Sequence, residues 1–164
     1  KKVAYVTQTT LSVDDTRAII AELKARYPNI SGPDVRDICY ATQNRQLAVR
    51  EIAMKVDVMI VVGAQNSSNS NRLREIGDEL NVPSYLIDDV DGLDLLWIDG
   101  AETVGISAGA SAPEELVEEL VGRLQEEFIV QLDNYDGVEE NVQFKLPEEI
   151  TGLGSSAIPS AKGN

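Results

Sequence analysis

Val58-Met-Ile-Val-Val-Gly-Ala-Gln-Asn-Ser-Ser-Asn-Ser-Asn-Arg-Leu73 decides the fold of this chain. Its first five residues are continuously apolar and mostly β-branched, which suits a strand covered by helices on both faces and therefore a parallel sheet. At Gly63 the apolar run gives way to hydroxyl and amide side chains, from Gln65 to Asn71, just where helical spacing begins. That is the layout of an oxyanion site. The first helical turn leaves backbone N–H groups free, and the aligned peptide dipoles favour negative charge there, with phosphate as the natural guest. A plainer reading stands beside it: Ser68, Asn69 or Ser70 caps the helix over 72–80, and loops are generally polar. One cap needs one side chain, however, and the run supplies several.

Two more segments repeat the order of strand, small polar loop and helix. Residues 3–7 run into Thr7-Gln-Thr-Thr-Leu-Ser-Val-Asp-Asp15, and the helix beyond places Ile19, Ile20, Leu23 and Tyr27 on one face, with Ser12 as its cap. Val104-Gly-Ile ends in Ser107-Ala-Gly-Ala-Ser-Ala-Pro113, ahead of a helix that buries Val117, Leu120, Val121, Leu124 and Phe128. Pro113 suits the first turn, and Ser111 with Glu114 reads as a capping box. In an open parallel sheet all such turns share one edge, the carboxyl ends of the strands, where ligands enter. The spacing predicts strands over 3–7, 37–40, 58–62, 84–87 and 103–107. Helices are expected over 14–27, 44–55, 70–80 and 114–127, with a short one near 93–97. This alternation is α/β, a doubly wound arrangement of open parallel sheets with flanking helices. A chain of 164 residues is long enough to bury a proper core. Neither a dinucleotide fingerprint nor a P-loop is found, since Gly152-Leu-Gly154 lies in a Ser/Gly/Pro-rich tail.

Charge narrows the partners. With 28 acidic against 14 basic residues and a net charge of −14, the surface repels nucleic acid and anionic membrane, and neither is expected as a partner. Much of the acid, such as Glu114, Glu115, Glu118 and Glu119, belongs to a solvated helix face. Cys39 is the sole cysteine, so no intrachain disulfide can form and the expected compartment is the cytoplasm. No long apolar span or signal-like leader is visible. The chain opens Lys-Lys-Val without methionine and enters its first strand almost at once, as expected of a piece of something longer. A lone cysteine on a strand is more often a small buried hydrophobe than a ligand. Here Thr42, Gln43 and Asn44 follow it at the same sheet edge, so Cys39 is expected to face a polar pocket.

Four strings carry a resemblance: Val6-Thr-Gln-Thr-Thr-Leu-Ser-Val-Asp-Asp-Thr16, Asp37-Ile-Cys-Tyr-Ala-Thr-Gln-Asn-Arg-Gln46, Asn66-Ser-Ser-Asn-Ser-Asn-Arg-Leu73 and Ala108-Gly-Ala-Ser-Ala-Pro113. In order and spacing they resemble the signature segments of the 4-hydroxy-3-methylbut-2-enyl diphosphate reductases, from the first residues to about Pro147. That family reduces an allylic alcohol diphosphate to isopentenyl and dimethylallyl diphosphates, the last step of the methylerythritol phosphate route to isoprenoids. The resemblance implies that Cys39 is one of three thiolates holding a 4Fe-4S cluster and that Thr9 lies beside the reacting end of the substrate. It makes Ser67, Ser68, Asn69 and Ser111 the diphosphate clamp, places Thr42 behind the cluster, and implies a ferredoxin or flavodoxin as electron donor.

The departures from the family are informative. It uses three cysteines, several substrate-binding histidines and a proton-delivering glutamate from its amino-terminal portion, whereas this chain has one cysteine and no histidine. The chain therefore resembles a carboxy-terminal fragment of a three-lobed enzyme, one complete lobe plus part of a second, and is expected to be inactive alone with no catalytic residue of its own. The expected division is the end of the middle lobe over 1–36, the last lobe over 37–128, a returning segment over 129–150 that includes Val142 to Leu146, and a flexible tail over 151–164. A different class stays open, in which the same turns form a non-catalytic α/β module that binds a phosphorylated metabolite and Cys39 is merely packed.

Overall fold

The run 58–62 forms strand β1 (Val58–Val62), every side chain of it buried. In the computed structural model, which describes residues 2–33, 38–135 and 137, β1 is the middle of a three-stranded sheet. Strand β2 (Ser84–Ile87) pairs with it in parallel on one side, with Met59 opposite Ser84. Strand β3 (Val104–Ala108) pairs in parallel on the other, with Ile60 opposite Ile106. A strand with two neighbours and two covered faces has no wet side, which is why its apolar run is unbroken.

Alternation along β1 sorts the core into two layers. Met59 and Val61 point to helices α2 (Tyr40–Ala53) and α3 (Ser68–Glu79), where they meet Val49, Ala53, Leu73 and Ile76. Val58, Ile60 and Val62 point the other way, to Leu120 and Leu124 of helix α4 (Glu114–Glu127) and to Ile87 and Ile98. Leu73, Ile76 and Leu120 are fully enclosed, each stabilising the fold by about 1.5–3 kcal/mol relative to exposure. Helix α3 carries the chain from β1 to β2. The return to β3 runs through two 3₁₀ turns, Val90–Gly92 and Leu95–Ile98, in place of the single short helix expected near 93–97. Asp89 and Asp94 split it, each accepting a backbone N–H two residues on and closing its own turn.

The first segment departs further from expectation. Residues 3–7 do not form a strand: the described pairing is a single parallel bridge between Ala4 and Ser31. A lone extended segment without a neighbouring sheet cannot build a ladder. Helix α1 (Val13–Arg26) forms with Ser12 as its N-cap, as expected. Of its apolar face only Ile20 is buried, while Ile19 and Tyr27 stay exposed. The strand expected over 37–40 also fails: Cys39 is the N-cap of α2 and Tyr40 already lies in the helix, with Asp37 outside the described residues.

Beyond α4, Val130 packs on the α4-side core. The Tyr135 hydroxyl donates to the Glu51 carboxylate at 2.7 Å, and that bond raises the phenol's pKa above its ordinary value. The segment 142–146 and the tail 151–164 lie outside the described residues. Among the described residues no helix is long and apolar enough to cross a membrane.

Candidate functional site

Strands β1 and β3 end side by side at glycines. Gly63 donates its N–H to the Ile87 carbonyl and Gly109 to the Val62 carbonyl, each at 2.8 Å. The first turn of α3 comes down on these two strand ends, and Ser70 fills the gap: a Cβ on either glycine would collide with the Ser70 hydroxyl. Glycine at both positions is what lets the amino end of α3 sit at the switch point of the sheet. Ser67 caps the helix, its hydroxyl accepting the Ser70 N–H at 3.3 Å. The cap is therefore one residue earlier than the Ser68, Asn69 or Ser70 expected. Ser68 is exposed. Asn69 is only 6% exposed, and neither its Oδ1 nor its Nδ2 has a hydrogen-bond partner; the Ser70 hydroxyl is also unpartnered. Buried polar groups are nearly always paired, so an amide orphaned at both atoms calls for a reason.

Part of the polar run has a structural reason. Gln65 donates twice, its N–H to Asp88 at 3.0 Å and its side-chain amide to the Leu86 carbonyl at 2.8 Å. Asn71 donates to the carbonyls of Gln65 at 2.7 Å and Ser67 at 3.0 Å. These bonds brace the loop against β2, so Gln65 and Asn71 are scaffold. The excess of polar residues that pointed to a ligand shrinks to Asn66, Ser68 and the buried Asn69. On the other side of the edge, Ser111 is exposed in the turn after β3, which is closed by the Ala112 N–H on the Gly109 carbonyl at 3.0 Å. Pro113 is the N-cap of α4 and no side chain caps it, so the expected Ser111–Glu114 capping box does not form.

A second wall comes from the first segment and α2. Cys39 is exposed at the start of α2, and its N–H donates to the Thr9 carbonyl at 3.2 Å. Thr42 is buried one turn further on. Gln46 sits another turn along, almost fully buried. Its carbonyl accepts the Val13 N–H at 3.4 Å and its NH₂ donates to the Leu11 carbonyl at 3.0 Å. Arg45 donates to the Ala108 carbonyl at 3.1 Å, tying α2 to the end of β3. Arg72 reaches from α3 to the Ser12 hydroxyl at 3.0 Å and to Glu79 at 2.7 Å. Burial of this guanidinium works against its charge, but the bonds to Glu79 and Glu75 and the field of Asp15 outweigh it and raise its pKa.

The expected site residues thus fall into three groups. Thr9 and Cys39 are joined directly. Ser67, Ser68 and Asn69 open α3, and Ser68 shares a cleft of about 270 Å³ with Gln8, Thr10 and Ser12. Ser111 reaches the edge through Gly109, without a side-chain hydrogen bond to the α3 residues. Gln46, Arg45 and Arg72 were not legible as site-building residues, because their partners are backbone carbonyls and a cap distant in sequence.

The family model described as LytB protein matches residues 1–125, which include every one of these positions. The chain belongs to the LytB family. It is 60% identical over 149 residues to the 4-hydroxy-3-methylbut-2-enyl diphosphate reductase of Burkholderia pseudomallei, covering 91% of this chain and 48% of that protein. Against 4-hydroxy-3-methylbut-2-enyl diphosphate reductase 2 of Bradyrhizobium diazoefficiens, identity is 59% over 90% of this chain and 48% of the relative. The solved E-1-hydroxy-2-methyl-but-2-enyl-4-diphosphate reductase of Plasmodium falciparum superposes with a TM-score of 0.82 at 39% identity, over 93% of this chain and 49% of that one. The LytB chain described here therefore spans about half the length of the relatives it matches.

Proposed function

We propose that this chain is the diphosphate-gripping, carboxy-terminal half of a 4-hydroxy-3-methylbut-2-enyl diphosphate reductase. The observation that carries the reading is Asn69: a buried amide with two unpartnered atoms, in the first turn of a helix at the sheet's switch point. A diphosphate oxygen would accept from Nδ2 and from the free N–H groups of that turn, where the helix dipole favours anions. Ser67 and Ser68 would contribute from the same turn, and Ser111 from across Gly109. Thr9 would flank the opposite, reacting end of the substrate, because its carbonyl is fastened to the N–H of Cys39. The names of the relatives support the substrate, and the exposed Ile19 and Tyr27 support a division in which 1–36 is the end of an incomplete lobe.

The family's iron–sulfur chemistry cannot be assembled from this chain's donors. Cys39 is its only cysteine, and no group of three or more metal-ligating side chains gathers among the described residues. A 4Fe-4S cluster needs several thiolates. In our reading Cys39 is one of three, Thr42 supports it from behind, and the other two cysteines, the histidines and the proton donor come from the rest of a longer protein. No bond-breaking step belongs to residues present here. Electrons would arrive from a separate ferredoxin or flavodoxin, and the cytoplasm is the expected compartment.

Kinetics on the full-length reductase containing this chain separate the two roles. Cys39→Ser should remove nearly all turnover together with the cluster's absorbance. Ser67→Ala should act mainly on KM, by about tenfold for a lost hydrogen bond of about 1.4 kcal/mol, since the clamp grips substrate and transition state alike. Normal turnover in Cys39→Ser, or a pure kcat loss in Ser67→Ala, would overturn the assignment.

A further inference from the structure

Turn 8–12 carries Thr9 and lines the cleft beside Ser68, yet among the described residues its segment joins no sheet and makes only the Ala4–Ser31 bridge. Something else must hold it in place. Gln46, 3% exposed, does so from α2 with both ends of one amide, accepting from Val13 N–H and donating to the Leu11 carbonyl. The two bonds reproduce the pairing a neighbouring strand would give, and they lie two helical turns along from Cys39, whose N–H takes the Thr9 carbonyl. We propose that Gln46 is a positioning residue, whose buried amide brackets residues 11–13 and thereby fixes Thr9 against the start of α2 and the turn against Ser68.

Only a side chain with one acceptor and one donor at its tip can make both bonds. A carboxylate keeps the first and repels the second; a protonated carboxyl restores both. The charged groups around the bracket are Asp14 of α1, which pairs with Arg17 at 3.3 Å and with Arg50 of α2 at 2.9 Å, and Arg72 of α3, which faces Asp15 at 3.8 Å, Glu75 at 3.4 Å and Glu79 at 2.7 Å. These groups are the same in wild type, so a pH dependence that appears only in Gln46→Glu belongs to the introduced carboxyl. The functional meaning of the bracket rests on the reading of Thr9 and Ser68 given above, whereas its geometry does not.

The test uses this chain, with amide exchange and pyrophosphate titration followed by NMR in wild type, Gln46→Glu and Gln46→Leu. Gln46→Glu should match wild type at about pH 5, where a buried carboxyl is still protonated. At about pH 7.5 it should lose about tenfold or more in protection at Val13 and Cys39, while Ile76 in the core of α3 stays protected. Gln46→Leu should lose the same protection at both pH values. Pyrophosphate should then still shift the amides of Ser67 to Asn69 but no longer those of Thr10 to Ser12, which line the cleft beside Ser68. A purely packing role would not follow the carboxyl's titration, so equal protection at both pH values in Gln46→Glu overturns the proposal. If pyrophosphate leaves Ser67 to Asn69 untouched even in wild type, the clamp reading fails while the bracket is judged on protection alone.

Discussion

Asn69→Leu should make the ligand-free protein more stable. A buried polar group without a partner forgoes its hydration and gains nothing in return, at a cost of about 1–3 kcal/mol. Both polar atoms of Asn69 are in that position, and the residue is 94% buried by its 6% exposure. Leucine has a similar length, adds apolar burial and has a helix propensity better by a few tenths of a kcal/mol. Some of the gain is offset by the extra volume of a branched tip in a packed turn. The expected net is about 1–2 kcal/mol of added stability. The single tryptophan, Trp97, stacks on Tyr85 with ring centroids 4.2 Å apart in the α4-side core, which provides a fluorescence signal for urea unfolding. With an m-value of about 2 kcal/mol/M, the midpoint should rise by about 0.5–1 M at unchanged m. The same substitution should abolish the response of Ser67 and Ser68 to pyrophosphate, a trade of function for stability typical of a binding site. A midpoint lowered by a comparable amount would refute the reasoning, because it would mean that the amide is already satisfied in the free protein and is not held in reserve for a ligand.

Anaerobic treatment of this chain with iron and sulfide should leave no stoichiometric 4Fe-4S cluster by absorbance and iron analysis, since one thiolate cannot replace the usual set; a stable cluster on a monomer would contradict the fragment reading. The Thr103 hydroxyl, the Thr103 N–H and the Glu102 N–H all donate to the Asp57 carboxylate at 2.8–3.0 Å, and they hold its pKa below the ordinary value, the hydroxyl foremost. A depressed carboxyl contributes stability that is present above its unfolded pKa of about 3.9 and is lost as pH falls through its folded pKa, so Thr103→Val should move the Asp57 titration, read by carboxyl-carbon NMR, up towards that value. Gly109→Ala should destabilise by about 1–3 kcal/mol in urea because its Cβ collides with Ser70, and Ser70→Gly in the same chain should recover most of that loss.

The strands and helices that could be located in the sequence are those whose pattern is dictated by enclosure. Val58 to Val62 had to be apolar throughout because both faces and both edges are covered, and β2 and α4 fell on the residues expected because each packs against that strand, β2 at its edge and α4 on one face through Leu120 and Leu124. The segments 3–7 and 37–40 carry strand-like composition, but a strand is a relation between two stretches of chain. With one bridge among the described residues for the first and a helix start for the second, composition had nothing to act on. The cap of α1 fell on Ser12 as expected, whereas that of α3 was placed one to three residues late, since Ser67, Ser68 and Ser70 are chemically equal choices until packing selects one. At the site, Asn69 and the three turns were visible as polar residues after strands. That Gln65 and Asn71 are spent on the loop, and that Gln46 and Arg72 build the opposite wall, depends on carbonyls and caps brought together only by the fold.

Whether the start of α3 is built to hold a diphosphate is decided by titrating this chain with pyrophosphate and following its backbone and side-chain amides by NMR. Saturable shifts should appear first at Ser67, Ser68, the Asn69 side-chain NH₂ and Ser111, and should be absent in Asn69→Leu. Shifts spread evenly over the surface, or none at Asn69 when the rest of the protein responds, would reduce these turns to ordinary helix starts and contradict a diphosphate site there.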